Sequence, residues 1–231
     1  MELQLQQLIV TKANELAQAS SNLTLVESKA IEYCISTIFK DQVVTATDIF
    51  EVDVEHLSNI FGLGRSQAYR EVRKLMEGLL TKVIRIDFLG QRESFQWLSC
   101  VRSNDTKSGV YIQFNHIVCL YLSPERLKKG SFTSYPLEHV RHFKHRFSLP
   151  LYNICKSNHY AGAGFRTELS LDSLRELLFI DSKDYTLWAN LKVQLSKAIA
   201  EIEAKAGFKI KIVERKTGKK VTSIVFLTKE Q

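Results

Sequence analysis

Apolar residues near the start of the chain recur with the 3.6-residue period of an amphipathic helix, over residues 3–19 and 25–40. Thr24 and Glu27 stand at the start of the second segment with capping-box spacing, in which each side chain bonds to a backbone amide that the helix leaves unpaired. The pattern therefore predicts two helices at the beginning of the chain.

A second pair of predicted helices, over residues 53–61 and 66–80, flanks a short break with two glycines at residues 62–64. A short helix, a tight turn and a second helix predict a helix-turn-helix. Three alternating segments rich in β-branched and aromatic residues follow, at residues 82–88, 94–101 and 110–114. They predict a small antiparallel sheet that completes the first unit.

The segment 123–134 combines a proline and a glycine with no long apolar period, which is typical of a junction. Helical patterns then return at residues 148–158, 170–179 and 183–206, and a strand-like hairpin occupies residues 209–226. Ser148 precedes Leu149 and Pro150, so we expect it to cap the first of these helices.

Both halves of the chain thus run from helices through a helix-turn-helix to a β-ribbon, which is the plan of a winged helix. The predicted fold class is α+β, with two tandem winged-helix domains. We expect residues 1–130 to form an N-terminal domain for dimerisation and auxiliary DNA contact. Residues 131–231 would then form the main DNA-binding domain.

The net charge of +7 is unevenly distributed. Residues 1–120 hold 12 Lys and Arg against 14 Asp and Glu, and residues 121–231 hold 20 against 11. A basic half of this kind favours a polyanionic partner, either nucleic acid or an anionic membrane. The longest apolar runs, such as residues 117–122, are far shorter than the roughly 18 residues of a spanning helix. We therefore expect a cytoplasmic protein with a nucleic-acid partner and no membrane partner.

The predicted helix over residues 183–206 has two unlike faces when its residues are placed at about 100° intervals. Its apolar face is predicted to be core and comprises Leu187, Trp188, Leu191, Leu195, Ala198, Ile199 and Ile202. The opposite face is poor in charge and comprises Lys183, Thr186, Ala189, Asn190, Val193 and Lys197, with Ala200 beyond them. Small apolar groups and Asn suit base edges in a major groove, and lysines suit phosphates. A plain solvated face is the alternative.

The hairpin carries four basic residues around one Thr-Gly turn: Arg215, Lys216, Lys219 and Lys220. Such a loop can serve solubility alone, but after a helix-turn-helix it is placed to act as a wing along the phosphate backbone. The first unit has a second possible recognition helix with Arg65, Ser66, Gln67, Arg70 and Lys74. Glu71 and Glu77 dilute its charge, so a dimer or partner surface is equally expected there.

Several motifs, taken in order, resemble the iteron-binding plasmid replication initiators. The N-terminal matches are Asn14, Leu16, Ala19, Leu23, Glu27 and Lys29, followed by FGLGRSQAYREVRKLMEGLL. The C-terminal matches are Ser148, Leu151, Tyr152, Leu171, Leu174, Arg175, Leu178, Tyr185, Ala198, Glu201, Ile202 and the segment TGKKVTSIVF. The chain departs from the resemblance in having few basic residues on the long helix and in Pro150.

The resemblance implies two winged helices, a monomer that binds repeated iterons at a plasmid origin, and a dimer that represses its own gene through an operator. It also implies partners in the host replication initiator and the replicative helicase. The expected partners therefore also include double-stranded DNA and a second copy of the chain, with an equilibrium between monomer and dimer.

No catalytic, cofactor or metal site is expected from the sequence. His139, His142 and His145 recur every three residues, a spacing that splays them on a helix, and no Cys or carboxylate completes a tetrahedral set. The chain contains no phosphate-binding G-x-x-x-x-G-K-[ST] loop. We predict a non-enzymatic initiator of plasmid replication. A winged-helix transcriptional repressor without a replication role is the main alternative, and a DNA nickase is a weaker one.

Overall fold

The computed structural model describes residues 8–38, 42–61, 65–88, 91–103, 109–129, 132–159 and 166–230. The helices are α1 (Asn14–Ala17), α2 (Leu25–Ser36), α3 (Val54–Phe61), α4 (Arg65–Leu79), α5 (His116–Leu122), α6 (Pro124–Lys129), α7 (Glu138–Arg141), α8 (Ser148–His159), α9 (Leu171–Leu177) and α10 (Trp188–Ala206). The strands are β1 (Ile9–Ala13), β2 (Ser20–Ser21), β3 (Phe50–Val52), β4 (Val83–Phe88), β5 (Gln91–Gln96), β6 (Leu98–Ser103), β7 (Val110–Phe114), β8 (Phe132–Pro136), β9 (Arg166–Ser170), β10 (Phe208–Thr217) and β11 (Lys220–Glu230).

All strand pairings in the described part of the chain are antiparallel. Strand β1 pairs with β8, and the three-stranded sheets have the orders β2-β4-β5, β3-β7-β6 and β10-β11-β9. Helices and antiparallel sheets alternate along the chain, as the predicted α+β class requires.

The first helix-turn-helix consists of α3 and α4, and the ribbon β4-β5 follows it. Helix α2 begins with the predicted capping box, since Thr24 Oγ1 accepts from the amide of Glu27 at 3.3 Å and Glu27 Oε2 accepts from the amide of Thr24 at 2.7 Å. Asp53 Oδ1 accepts from the amide of His56 at 2.9 Å at the start of α3. The predicted glycine break at residues 62–64 lies outside the described residues.

The prediction of a helix over residues 3–19 is wrong for the part that the structure describes, since Ile9–Ala13 is strand β1 and only Asn14–Ala17 is helical. Strand β1 pairs with β8, so Thr11 lies opposite Ser134, 123 residues further along the chain. Val10 and Ala13 are buried by this pairing. A partner so distant in the sequence overrides the local helical pattern.

The expected junction at residues 123–134 contains helix α6 and the first residues of strand β8, and Asn14 Oδ1 accepts from Thr133 Oγ1 at 2.7 Å. This segment is therefore packed against the start of the chain. The division of the chain at residue 130 stays a prediction.

The second helix-turn-helix consists of α9 and α10, and the ribbon β10-β11 follows it. Ser170 caps α9 by accepting from the amide of Ser173 at 3.0 Å. Ser148 does not cap α8 as predicted, because it is the first residue of that helix and its hydroxyl donates to Glu201 Oε2 at 2.6 Å. That bond joins α8 to α10.

The two winged helices share one continuous hydrophobic core among the described residues. Polar contacts also link them: Asn14 Nδ2 donates to the carbonyl of Ser157 at 3.0 Å, and Ser20 Oγ donates to the carbonyl of Glu176 at 2.6 Å. Within the first winged helix, Lys12 Nζ on β1 lies 2.5 Å from Glu32 Oε1 on α2, and both side chains are buried. Asn153 Nδ2 on α8 donates to the same oxygen at 3.1 Å.

We expect Lys12→Met to lower the free energy of unfolding by roughly 3 kcal/mol, because it leaves the carboxylate of Glu32 buried without its cation. Lys12 and Glu32 are 1% and 4% exposed. Urea unfolding followed by circular dichroism measures the change. The double variant Lys12→Met/Glu32→Leu, which removes both charges, should recover most of the loss.

Arg73→Met serves as the control, because its partner Glu77 lies 2.9 Å away on the exposed side of α4. It should change the free energy of unfolding by less than about 1 kcal/mol. Equal losses for Lys12→Met and Arg73→Met would contradict a special role for the buried pair.

Candidate nucleic-acid interface

Helix α10 buries one face and exposes the other. Leu191, Leu195, Ala198 and Ile202 are at most 1% exposed, and they are the centre of the apolar face predicted from the sequence. The opposite face is exposed at Ala189, Asn190, Val193, Lys197 and Ala200. Val193 is 53% exposed although it is apolar. The helix thus offers solvent a face of small apolar groups, one amide and one lysine.

The predicted start of this helix at Lys183 is wrong, because α10 begins at Trp188. Lys183 and Thr186 therefore lie in the turn before the helix, where both are exposed. Leu187 was predicted to be core but is 65% exposed. It is the N-cap residue with extended backbone (φ −90°, ψ 132°), so the angular spacing of a helix does not apply to its side chain.

Arg175 on α9 keeps the turn out of the helix. Its guanidinium donates to the carbonyl of Tyr185 at 2.9 Å and to the carbonyl of Asp181 at 3.2 Å, and it also contacts the carbonyl of Asp184. Tyr185 has a left-handed backbone (φ 47°), which interrupts a helical run. Satisfying these carbonyls sets where α10 starts and so which residues its first turn presents.

The ribbon β10-β11 forms the predicted wing. Thr217 pairs with Lys220 across a two-residue turn, in which Gly218 takes a left-handed backbone (φ 61°) that glycine adopts without strain. The ladder shifts register between Arg215 and Lys216. The side chains of Arg215, Lys216, Lys219 and Lys220 are all exposed at this end of the ribbon.

Glu214 connects the wing to helix α10. Its Oε1 accepts from Trp188 Nε1 at 2.9 Å and from Lys192 Nζ at 2.8 Å, and its Oε2 lies 3.6 Å from Lys216 Nζ. The bonds from Lys192 and Trp188 lower the pKa of this carboxyl from 4.5 to about 2. A carboxylate in the middle of the basic surface therefore fixes the distance between helix and wing.

Sequence reasoning missed Glu214, which appeared as one acidic residue in a basic strand. Its partners Trp188 and Lys192 lie 26 and 22 residues earlier, and no local pattern announces that pairing. The one local hint in the sequence is that Glu214 is an acidic residue in a strand that otherwise carries only basic charges.

The second predicted recognition helix, α4, belongs to the first winged helix. Gln67, Arg70 and Lys74 are exposed on it, and Arg70 Nε lies 3.5 Å from Glu71 Oε1. The side chains of Arg65 and Ser66 lie outside the described residues. The carboxylate of Glu71 partly offsets the charge of Arg70.

Two family models match the chain in tandem. The model described as "Initiator Replication protein, WH1" matches residues 9–156, and the model described as "Initiator Rep protein, WH2" matches residues 170–227. The chain belongs to the initiator replication protein family. The predicted family and the predicted fold of two tandem winged helices are confirmed.

Individual relatives agree with this assignment. A "Replication initiation protein" of Escherichia coli is 26% identical over 236 residues, which cover 95% of this chain and 69% of that protein. The solved structure of the Pi initiator protein in complex with iteron DNA superposes with a TM-score of 0.76 at 19% identity, covering 96% of this chain and 97% of that one. At 19% identity, the similarity to the Pi initiator structure shows a shared fold.

In this initiator-family chain, no group of three or more His, Cys, Asp or Glu side chains among the described residues is arranged to hold a metal ion. His139 Nδ1 lies 3.0 Å from Tyr152 Oη, and His145 Nε2 lies 3.2 Å from Gln194 Oε1. Within the same ranges, no helix combines the length and apolar content needed to cross a membrane.

We expect Glu214→Gln to remove a pH-dependent part of the stability of this initiator. Because the folded-state pKa of Glu214 is lowered to about 2, the stabilisation is complete above its ordinary pKa of 4.5 and disappears as the pH falls towards 2. Urea unfolding of wild type and variant should show a gap that is constant at neutral pH and narrows between those values.

Glu203→Gln is the matched control, since Glu203 is an exposed glutamate on α10 that lies 3.6 Å from Lys209. A gap for Glu214→Gln that stayed constant down to a pH of about 2 would contradict the assigned role of the carboxylate.

Proposed function

We propose that the protein initiates plasmid replication by binding repeated sites, or iterons, in double-stranded DNA. The observation that carries this proposal is the exposed neutral face of α10 beside a wing with four cations, in a chain whose two halves both match initiator domains. The Pi initiator, which shares the fold, was solved with iteron DNA.

Base recognition is assigned to α10. An α-helix fits the major groove, where Asn190 pairs with the edge of adenine and the methyl groups of Ala189 and Val193 contact thymine methyls. Lys197 and Lys183 are assigned to phosphates. Thr186, in the turn before the helix, is assigned to a DNA phosphate near the helix N-terminus, because the free amides there favour anions.

The wing is assigned to phosphate contact by Arg215, Lys216, Lys219 and Lys220. Such contacts supply affinity without reading sequence, because every nucleotide carries the same phosphate. The first winged helix then contributes dimerisation and an auxiliary DNA contact through Arg65, Ser66, Gln67, Arg70 and Lys74 on α4.

The protein would act without enzymatic chemistry in the bacterial cytoplasm, where plasmid DNA lies. Its further partners would be the host replication initiator and the replicative helicase. A dimer of the protein would repress its own gene through an operator.

Footprinting on DNA that flanks the gene tests the proposal. We expect protection of direct repeats, and we expect a plasmid that carries those repeats to replicate only when the protein is supplied. Protection of an inverted repeat alone, without replication, would indicate a repressor. Incubation with supercoiled DNA and magnesium should leave the DNA uncut, and cleavage lost on one carboxylate or tyrosine substitution would overturn the proposal.

Lys216→Ala/Lys219→Ala/Lys220→Ala should weaken binding to all duplexes alike. If about eight phosphates are neutralised by the wild type, log affinity falls against log salt with a slope near −7, and each lost contact reduces the slope by about 0.9. Fluorescence anisotropy at a series of salt concentrations measures this. An unchanged slope would remove the wing from the interface.

Asn190→Ala should relax specificity at one base pair, at a cost of about 1–3 kcal/mol on the preferred duplex. The salt slope should stay at the wild-type value because no phosphate contact is lost. Anisotropy with duplexes substituted at each position locates the base pair. Equal discrimination by wild type and variant at every position would exclude Asn190 from base recognition.

A further inference from the structure

A basic segment, residues 141–146, lies against α10 and has no role in the interface described above. The carboxylate of Glu201 on α10 accepts from the amide of Lys144 at 2.7 Å and from the amide of His145 at 2.9 Å. The hydroxyl of Ser148 completes the set at 2.6 Å. These bonds fix the segment along one side of the helix.

This segment and the wing lie on opposite sides of the exposed face of α10. The wing contacts Trp188 and Lys192, whereas the segment contacts Gln194 and Glu201. At about 100° per residue, these two pairs are separated by roughly 180–240° around the helix axis, with the exposed residues between them. The exposed face is therefore bordered by basic structure on both sides.

Lys29 and Lys144 lie near each other at the border opposite the wing, and Arg146 follows on the same segment as Lys144. We call Lys29, Lys144 and Arg146 the flank cluster. Lys144 and Arg146 are exposed, and Lys29 reaches the site from helix α2. Burial lowers the pKa of Lys29; Glu201 opposes this shift, and the nearby charge of Lys144 adds to it. An anion that binds between two neighbouring lysines offsets the repulsion between their charges.

Glu201 does not cancel this positive charge. It is one carboxylate against three cations, and its oxygens already accept from Lys144, His145 and Ser148. Those bonds keep the pKa of Glu201 below its usual value despite partial burial, so it stays an anion engaged with the protein. Its role is to position the segment beside the helix.

We propose that the flank cluster binds phosphates of the DNA strand that borders the major groove across from the strand held by the wing. The major groove is about 12 Å wide and is bounded by two phosphate backbones, so a helix of similar diameter that fills it has one backbone on each side. The wing contacts the phosphate backbone on one side of the groove, and the flank cluster lies where the phosphate backbone on the other side would pass. This inference rests on the proposed function.

Lys29 gives the contact a second consequence, because it lies on helix α2, 115 residues before Lys144 in the chain. A phosphate held between them is bound by two distant segments of the chain at once. Binding at this place therefore requires α2 and the segment 141–146 to stay side by side.

The test measures salt-dependent affinity of the full chain for a fluorescent duplex that carries the protected repeat, and for an unrelated duplex of equal length. Lys144→Gln/Arg146→Gln should reduce the slope of log affinity against log salt by about 1.8 on both duplexes, and Lys29→Gln by about 0.9. The control is Lys211→Gln/Lys229→Gln, which removes the same charge from exposed positions at the far end of the wing ribbon. Its slope should equal that of the wild type.

Single methylphosphonates, which remove the charge of one phosphate, locate the contacts. For the flank-cluster variant, neutralising the phosphates that the cluster normally contacts should no longer weaken DNA binding. The same holds for the wing variant and its phosphates. The two sets of phosphates should lie on opposite strands. Circular dichroism and the thermal midpoint of Lys144→Gln/Arg146→Gln should match the wild type, because both side chains are exposed.

The outcomes separate this inference from the proposed function. A slope reduced by the wing variant but not by Lys144→Gln/Arg146→Gln overturns the flank cluster alone. If neither the wing variant nor Lys144→Gln/Arg146→Gln reduces the slope, and the protein shows no preference for the repeat, both the flank cluster and the proposed function are overturned. An unchanged slope for Lys29→Gln alone excludes the contact from α2. Equal effects of the flank and control variants also reject the proposal.

Discussion

Burial of one face of α10 is the constraint on which the candidate interface depends. Leu191, Leu195, Ala198 and Ile202 are removed from water in the core that the two winged helices share. A helix whose apolar stripe is fixed in this way can neither rotate about its axis nor slide along it without exposing large apolar side chains. That exposure costs about 25 cal/mol for each Å² of apolar surface. The exposed face is therefore held in one orientation.

Two carboxylates align the basic elements on either side of that face. Glu214 holds the wing to Trp188 and Lys192, and Glu201 holds the segment 141–146 through two backbone amides. Both carboxyls have lowered pKa values, because hydrogen bonds to their charged forms outweigh partial burial. In a basic surface, such acidic residues reduce net charge slightly and determine where the cations stand.

The packing of α8 against the beginning of the chain depends on polar contacts as well as on the core. Lys12, Glu32 and Asn153 form a buried set between strand β1, helix α2 and helix α8. A displaced partner would leave a charge buried, so only a narrow range of relative positions is favourable. Arg92 adds an exposed contact with Glu176 at 2.7 Å. The flank cluster, which draws on α2 and on the segment 141–146, relies on this fixed arrangement.

Local sequence patterns were sufficient for features whose physical cause is local. The capping box of Thr24 and Glu27, the buried stripe of α10 and the Gly218 turn depend on residues a few positions apart, so spacing and side-chain chemistry predict them. The family resemblance rests on the same kind of ordered, local motif.

Only the tertiary structure decided the features whose causes are distant in the chain. Strand β1 exists because β8 lies beside it, helix α10 begins late because Arg175 holds the turn, and Glu214 and Glu201 act through partners 22 to 57 residues away. The sequence by itself determined which elements form and which carry charge. Packing determined which charges meet, because long-range pairing energies depend on positions that no local period encodes.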